Sequence, residues 1–171
     1  MGTSKVGIIN TTICVLDIET TGFEPGPAEI VELFILKVKG EDIVDEFYSL
    51  FKPDALITNS HIHGIDNQSV ENSPLFSEKI SEILSFIDGT TLVGHNIDNF
   101  DLKFLNYFLK QKLTNNTIDT LNISRLKLGN KVKNHKLKTL AEYFNVITPT
   151  HTARDDVMTT FEIYKKLISI Q

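Results

Sequence analysis

The spacing of apolar and polar residues changes period several times along the chain, and each change predicts an element. In residues 13–19 alternate side chains fall on opposite faces of a strand, so Ile13, Val15, Asp17 and Glu19 line one side and Cys14, Leu16 and Ile18 the other. Phe23-Glu24-Pro25-Gly26-Pro27 reads as a turn, residues 28–38 as a second strand, and Lys39-Gly40-Glu41-Asp42 as a turn into a third strand over 43–51. These three predict an antiparallel meander. Asn72-Ser73-Pro74 then reads as an N-cap with proline at the first helical position. Leu75, Phe76, Ile80, Ile83, Leu84 and Ile87 follow at helical spacing. Residues 91–95 predict a short strand joining the sheet in parallel, and Phe100, Phe104, Leu105, Phe108 and Leu109 mark the helix after it. A brief strand over 117–121 enters another helix, and residues 137–144 read as a short helix. In the last helix, Thr152 is the expected N-cap, Asp155 the acid of a capping box, and Val157, Phe161, Tyr164 and Ile168 one apolar stripe. The order of elements is that of an α/β protein.

The 171 residues suit one domain spanning 1–171, with 1–10 as a flexible or peripheral N-terminal segment. A domain of this size buries roughly 70% of its unfolded surface. The chain is 41% hydrophobic and 23% charged, outside the disordered and membrane classes. No apolar run approaches the ~20 residues that span a bilayer, and the first residues show neither a signal-peptide core nor a myristoylation pattern, since Val6 stands at the required Ser/Thr position. A cytoplasmic protein without a membrane partner is expected. Cys14 is the only cysteine and falls in an apolar strand, which excludes disulfides and cysteine metal sites. The net charge of −5 argues weakly against a nucleic-acid coat protein, but divalent cations at an acid site would bring it close to neutral.

The chemistry lies in acids at element ends. Asp17 and Glu19 stand on one face at the end of an apolar strand, where desolvation and mutual repulsion penalise both and a divalent cation removes both penalties. Three further segments place metal-ligand side chains near a strand end or in a first helical turn: Gly94-His95-Asn96 with Phe100-Asp101, Ile118-Asp119-Thr120, and His151-Thr152-Ala153-Arg154-Asp155-Asp156. Oxygen ligands without cysteine suit Mg²⁺ or Mn²⁺ better than Zn²⁺.

In Asp17-Ile18-Glu19-Thr20-Thr21-Gly22, in Asp101, and in the His-x4-Asp spacing of His151 and Asp156, the chain resembles the DEDDh (DnaQ-like) family of 3′→5′ exonucleases. Thr152, where the alternative Tyr-x3-Asp motif needs tyrosine, is inconsistent with the sister subclass. The resemblance implies an RNase H-like fold, a five-stranded mixed sheet flanked by helices. It implies that Asp17, Glu19, Asp101 and Asp156 hold two ions, Mg²⁺ or Mn²⁺, and that His151 is the general base. His63-Gly64-Ile65 and Asn134-His135-Lys136-Leu137 are similar to segments of the proofreading exonuclease subunit or domain of bacterial DNA polymerase III, of the epsilon and PolC types. The partner so implied is the 3′ end of a nucleic acid, single-stranded DNA first, with a DNA polymerase as a protein partner. Thr20, Gly22, Phe23, His63 and Asn96 are the expected nucleotide-binding residues, Phe23 standing where leucine is frequent in the family.

Other acids have plainer roles: Asp155 as a capping acid and Asp119 as a helix-start residue outside the site. His61 and His135 read as surface or structural, and Phe104, Phe108, Phe144 and Phe161 as core. The basic segment Arg125, Lys127, Lys131, Lys133, Lys136 and Lys138 is either a solvated loop or a holder of backbone phosphates. Two other functions stay open at this level. One is an RNA-directed exonuclease of the oligoribonuclease kind, and the other a noncatalytic module that binds a polymerase or a nucleic-acid end.

Overall fold

The computed structural model describes residues 11–171; the expectation for residues 1–10 lies outside them. Strands β1 (Thr12–Thr20), β2 (Ile30–Lys39) and β3 (Asp42–Leu50) form the antiparallel meander, and β4 (Thr91–Gly94) and β5 (Thr117–Asp119) extend it in parallel on the other side of β1. The sheet order is β3-β2-β1-β4-β5. Its two faces follow the alternation in β1. Cys14, Leu16 and Ile18 join Leu33, Ile35 and Phe47 under helices α2 (Ile80–Ile87) and α3 (Asp101–Phe108), whose Ile83, Ile87, Phe104 and Leu105 complete that core. Ile13 and Val15 join Phe34, Leu36, Val38 and Val93 under α6 (Ala153–Ser169), which contributes Ala153, Val157 and Phe161. Burying such side chains contributes about 1.5–3 kcal/mol each, so both faces of β1 are fixed by packing and its register cannot slip by one residue without turning the acids into the opposite core.

The remaining helices are α1 (Ser60–His63), α4 (Thr120–Leu128) and α5 (Leu137–Phe144). Among the described residues, no helix is long and apolar enough to cross a membrane. Two sequence expectations change. The helix expected from Pro74 begins later, as a 3₁₀ turn at Phe76–Lys79 that runs into α2. The Pro74 carbonyl is engaged by the Lys52 N–H at 3.0 Å, and the Glu78 carboxylate takes the Leu75 N–H at 2.7 Å, so 72–74 is a turn tied to the meander rather than a cap. Helix α6 also carries a second apolar stripe, Ile163 and Leu167, against Leu128, Leu140 and Ala141 of α4 and α5. That stripe leaves α6 clamped between the sheet and a helical pair, with its N-terminus directed at the end of β1.

Thr152 caps α6 as expected, accepting the Asp155 N–H at 3.3 Å. The reciprocal half of the box is absent, because the Asp155 carboxylate instead accepts the Thr150 hydroxyl at 2.6 Å.

Candidate active site

Strand β1 and helix α6 bring three acids together. One carboxylate oxygen each from Asp17, Glu19 and Asp156 lie within 4.8 Å of one another. Asp17 and Glu19 are on the face that packs against α6, opposite Phe34 and Glu32 of β2 in the strand register. Asp156 sits in the first turn of α6, where the helix dipole favours a negative charge. Its Oδ1 accepts the backbone N–H of Thr150 at 3.1 Å and of His151 at 3.3 Å. The segment carrying His151 is thereby tied to the acid.

Asp101 reaches the same region from the start of α3 but is outside that trio. It is only 2% exposed, and its Oδ1 is buried with no hydrogen-bond partner among the described residues. Burial pushes the Asp17 carboxyl well above the usual carboxylate range, and the charges of Asp101 and then Glu19 push it further. Glu19 is pushed up to about 8 by burial and then by Asp156 and Glu32. Asp101 is pushed up to about 7 by burial, against main-chain hydrogen bonds from Asp101 and Ile18 that pull it down. Asp156 is raised by burial and partly relieved by the His151 N–H. Half-buried and buried, mutually repelling carboxylates with an orphaned oxygen beside them fit a hard divalent cation, whose charge would oppose each of these shifts.

This arrangement fixes a pH dependence. Acids whose folded values lie near 7 and 8, against ordinary values of 3.8 and 4.5, hold more protons folded than unfolded. Their stabilising contribution is complete below about pH 4 and is lost as the pH rises through about 8. In chelator, the melting temperature is expected to fall between pH 5 and pH 8, and Mg²⁺ or Mn²⁺ to raise it more at pH 8 than at pH 5. Equal metal stabilisation at both pH values in a thermal melt would contradict the assignment.

His151 is exposed and has φ +63°, a left-handed conformation that costs a non-glycine residue on the order of 1 kcal/mol or more. Its charge acts favourably on Asp156. The segment after Glu19 is a pinned loop: Thr20 donates its hydroxyl to the Gly22 carbonyl at 2.6 Å, and Thr21 Oγ1 accepts the Glu29 N–H at 2.9 Å. Gly22 leaves little room, since an added Cβ would lie 3.1 Å from that of Ala28. Phe23, 82% exposed, projects from this loop. His63 is buried beside it. Its Nδ1 accepts the Ile65 N–H at 3.1 Å, burial lowers its pKa, and its Nε2 is buried near Thr20 with no hydrogen-bond partner among the described residues.

Asn96 adopts φ +66° at the end of β4, with its N–H donated to Asp119 Oδ1 at 2.9 Å. The same oxygen caps α4 through the Leu121 N–H at 2.9 Å, so Asp119 shapes the Asn96 loop from outside the acid trio. Gly94 has no space for a side chain, as a Cβ would meet that of Ile97 at 2.8 Å. The backbone therefore turns directly from β4 towards α3 and Asp101.

Glu32 is the residue the sequence reading missed. It is buried opposite Glu19, and its Oε2 accepts the Ala153 N–H at 2.8 Å. One acid of β2 thus holds the N-terminus of α6 against the sheet; without it a buried N–H would be orphaned at a cost of about 1–3 kcal/mol. The signal was a single acid inside the apolar run Ile30-Val31-Glu32-Leu33-Phe34.

A family model for the RNase T exonucleases matches residues 14–164, from β1 through α6 and including every acid described. The chain belongs to this exonuclease family. Among curated relatives of this DnaQ type, it is 38% identical over 160 residues to DNA polymerase III PolC-type of Caldanaerobacter subterraneus subsp. tengcongensis, covering 90% of this chain and 11% of the relative. It is 32% identical over 168 residues to DNA polymerase III subunit epsilon of Aquifex aeolicus, covering 94% of this chain and 82% of that one. The similarity to the epsilon and PolC types read from the sequence is confirmed. The fold matches an exonuclease I structure with a TM-score of 0.85 at 18% identity, over 94% of this chain and 41% of that one. A complex of E. coli exonuclease I with a dT13 oligonucleotide matches with a TM-score of 0.83. The RNase H-like, five-stranded mixed sheet expected from the sequence is the fold of this exonuclease.

Proposed function

We propose that this exonuclease acts in the 3′→5′ direction on DNA ends, with two divalent cations and His151 as general base. The observation that carries the reading is the convergence of Asp17, Glu19 and Asp156, with Asp101 adjoining and the His151 backbone bonded to Asp156. Asp17, Glu19, Asp101 and Asp156 would hold Mg²⁺ or Mn²⁺. Bound cations neutralise charge on the attacking and leaving oxygens of a phosphodiester and lower the pKa of water near them. The protein's own groups do the rest. The exposed His151 imidazole takes the proton of the attacking water. The main chain of Thr20 and Gly22 holds the terminal 3′-hydroxyl, which restricts cleavage to the end of a strand. Phe23 stacks on a terminal base, and Asn96 contacts the nucleotide from the β4 side. His63 supports Thr20 from beneath.

Relatives named as parts of DNA polymerase III support DNA over RNA, a replicative polymerase as partner and a cytoplasmic setting. Solved exonuclease I complexes with single-stranded oligonucleotides support an unpaired 3′ end. With 5′-labelled single-stranded DNA, Mg²⁺ is expected to give a ladder descending one nucleotide at a time, and chelator none. Substrate persisting at full length with both Mg²⁺ and Mn²⁺, or a matched RNA oligomer degraded faster than the DNA, would overturn the assignment.

A further inference from the structure

Beyond the acids, the C-terminal edge of the sheet opens into a groove of about 530 Å³ between the β4–α3 loop, α4 and the segment entering α5. His95 and Asn96 form one wall, Leu121 and Leu137 line it with apolar surface, and Arg125, Asn134, His135 and Lys136 complete it. The basic segment of the sequence divides here. Lys127 donates to the Ile170 carbonyl at the end of α6, and Lys133 pairs with Glu142 at 3.8 Å. Arg125 and Lys136 are exposed, line the groove, and make no ion pair among the described residues.

The groove wall is set before any ligand arrives. Asn134 Oδ1 accepts the Lys136 N–H at 3.1 Å and the Thr139 hydroxyl at 2.7 Å, which fixes the turn bearing Lys136. His135 Nδ1 is 3.0 Å from Ser124 Oγ, whose proton goes to the Leu121 carbonyl at 2.8 Å; the ring therefore donates, and the turn is fastened to α4. On the opposite wall, His95 Nδ1 lies 2.9 Å from Thr120 Oγ1, and burial holds that ring neutral, with its pKa lowered to about 4. No Phe, Tyr or Trp lines the groove, so it offers cations for phosphates and no platform for bases.

Resting on the exonuclease reading above, we infer that this groove carries the nucleic-acid strand away from the acid cluster, with Arg125 and Lys136 each pairing with a backbone phosphate upstream of the scissile one. The Asn96 loop is its link to the site, because it walls the groove and leads directly into α3 and Asp101. An acidic cluster repels a polyanion, and two cations beside it would offset that repulsion independently of sequence.

The test compares Arg125→Gln/Lys136→Gln with wild type on a single-stranded DNA 20-mer and on a dinucleotide, whose only phosphodiester is the scissile one. The double variant is expected to lose about tenfold or more in kcat/KM on the 20-mer and less than twofold on the dinucleotide. The salt dependence of 20-mer binding should drop by about 0.7 per lost phosphate contact. Lys133→Gln, outside the groove, should change neither substrate. Equal losses on both substrates, or no loss on the 20-mer, would overturn the inference. Anisotropy of a labelled 20-mer in chelator reads the groove without turnover: weaker binding by the double variant supports it and unchanged binding refutes it. A wild-type protein that binds the 20-mer through these residues but cleaves neither substrate would sink the exonuclease reading alone.

Discussion

Asp17→Asn is expected to abolish nuclease turnover while making the metal-free protein harder to melt. The charge of Asp17 is opposed by its surroundings, through burial first and then the charges of Asp101, Glu19, Asp156 and Glu32. Asparagine keeps the shape and removes the charge, so in chelator at pH 8 the melting temperature should rise above that of wild type. At lower pH the two should approach each other, because a carboxyl raised by burial and neighbouring acids takes up its proton as the pH falls. Added Mg²⁺ should stabilise wild type strongly and the variant little. Loss of a carboxylate central to the proposed metal site should cut kcat/KM by about 10³-fold or more, equivalent to ~4 kcal/mol of transition-state stabilisation. A variant that retains activity within tenfold, or melts below wild type at pH 8 in chelator, would show that Asp17 is a structural acid.

His151→Gly separates catalysis from folding in a second way. Glycine adopts φ +63° without the penalty that histidine carries there, so stability should hold or rise by up to about 1 kcal/mol in a denaturant titration. Removing the general base should lower kcat by about 10²–10⁴-fold with little change in KM. Added imidazole should restore part of the rate. Full activity without imidazole would remove His151 from the chemistry. A loss of stability alongside the loss of rate would point to a structural role for the side chain.

The residues whose meaning is local were legible in the sequence. The faces of β1, the N-cap at Thr152 and the span of α5 follow from alternation, a hydroxyl before an acidic turn, and apolar spacing, and each holds in the fold. The acids of the candidate site were legible because charges at the ends of apolar elements are conspicuous. What escaped depends on partners far along the chain. Glu32 matters through the N–H of Ala153, and nothing near it in sequence announces that helix. The burial of His63 likewise comes from a distant part of the chain, the Thr20 loop. The basic segment read as one stretch of cations, yet Lys127 and Lys133 are occupied by a carbonyl and a carboxylate that only the packing of α4, α5 and α6 brings near.

The acid trio joins the first strand of the described chain to its last helix, and this has a consequence for synthesis. Asp17 and Glu19 leave the ribosome early, and the sheet around them can pair long before α6 exists. Until Asp156 emerges and Glu32 captures the Ala153 N–H, a nascent chain holds Asp17 and Glu19 of the acid trio without Asp156 or His151. Long-range closure of this kind comes late in folding. On the proposed reading, a nuclease built this way would gain its last metal-binding acid and its general base only when α6 docks.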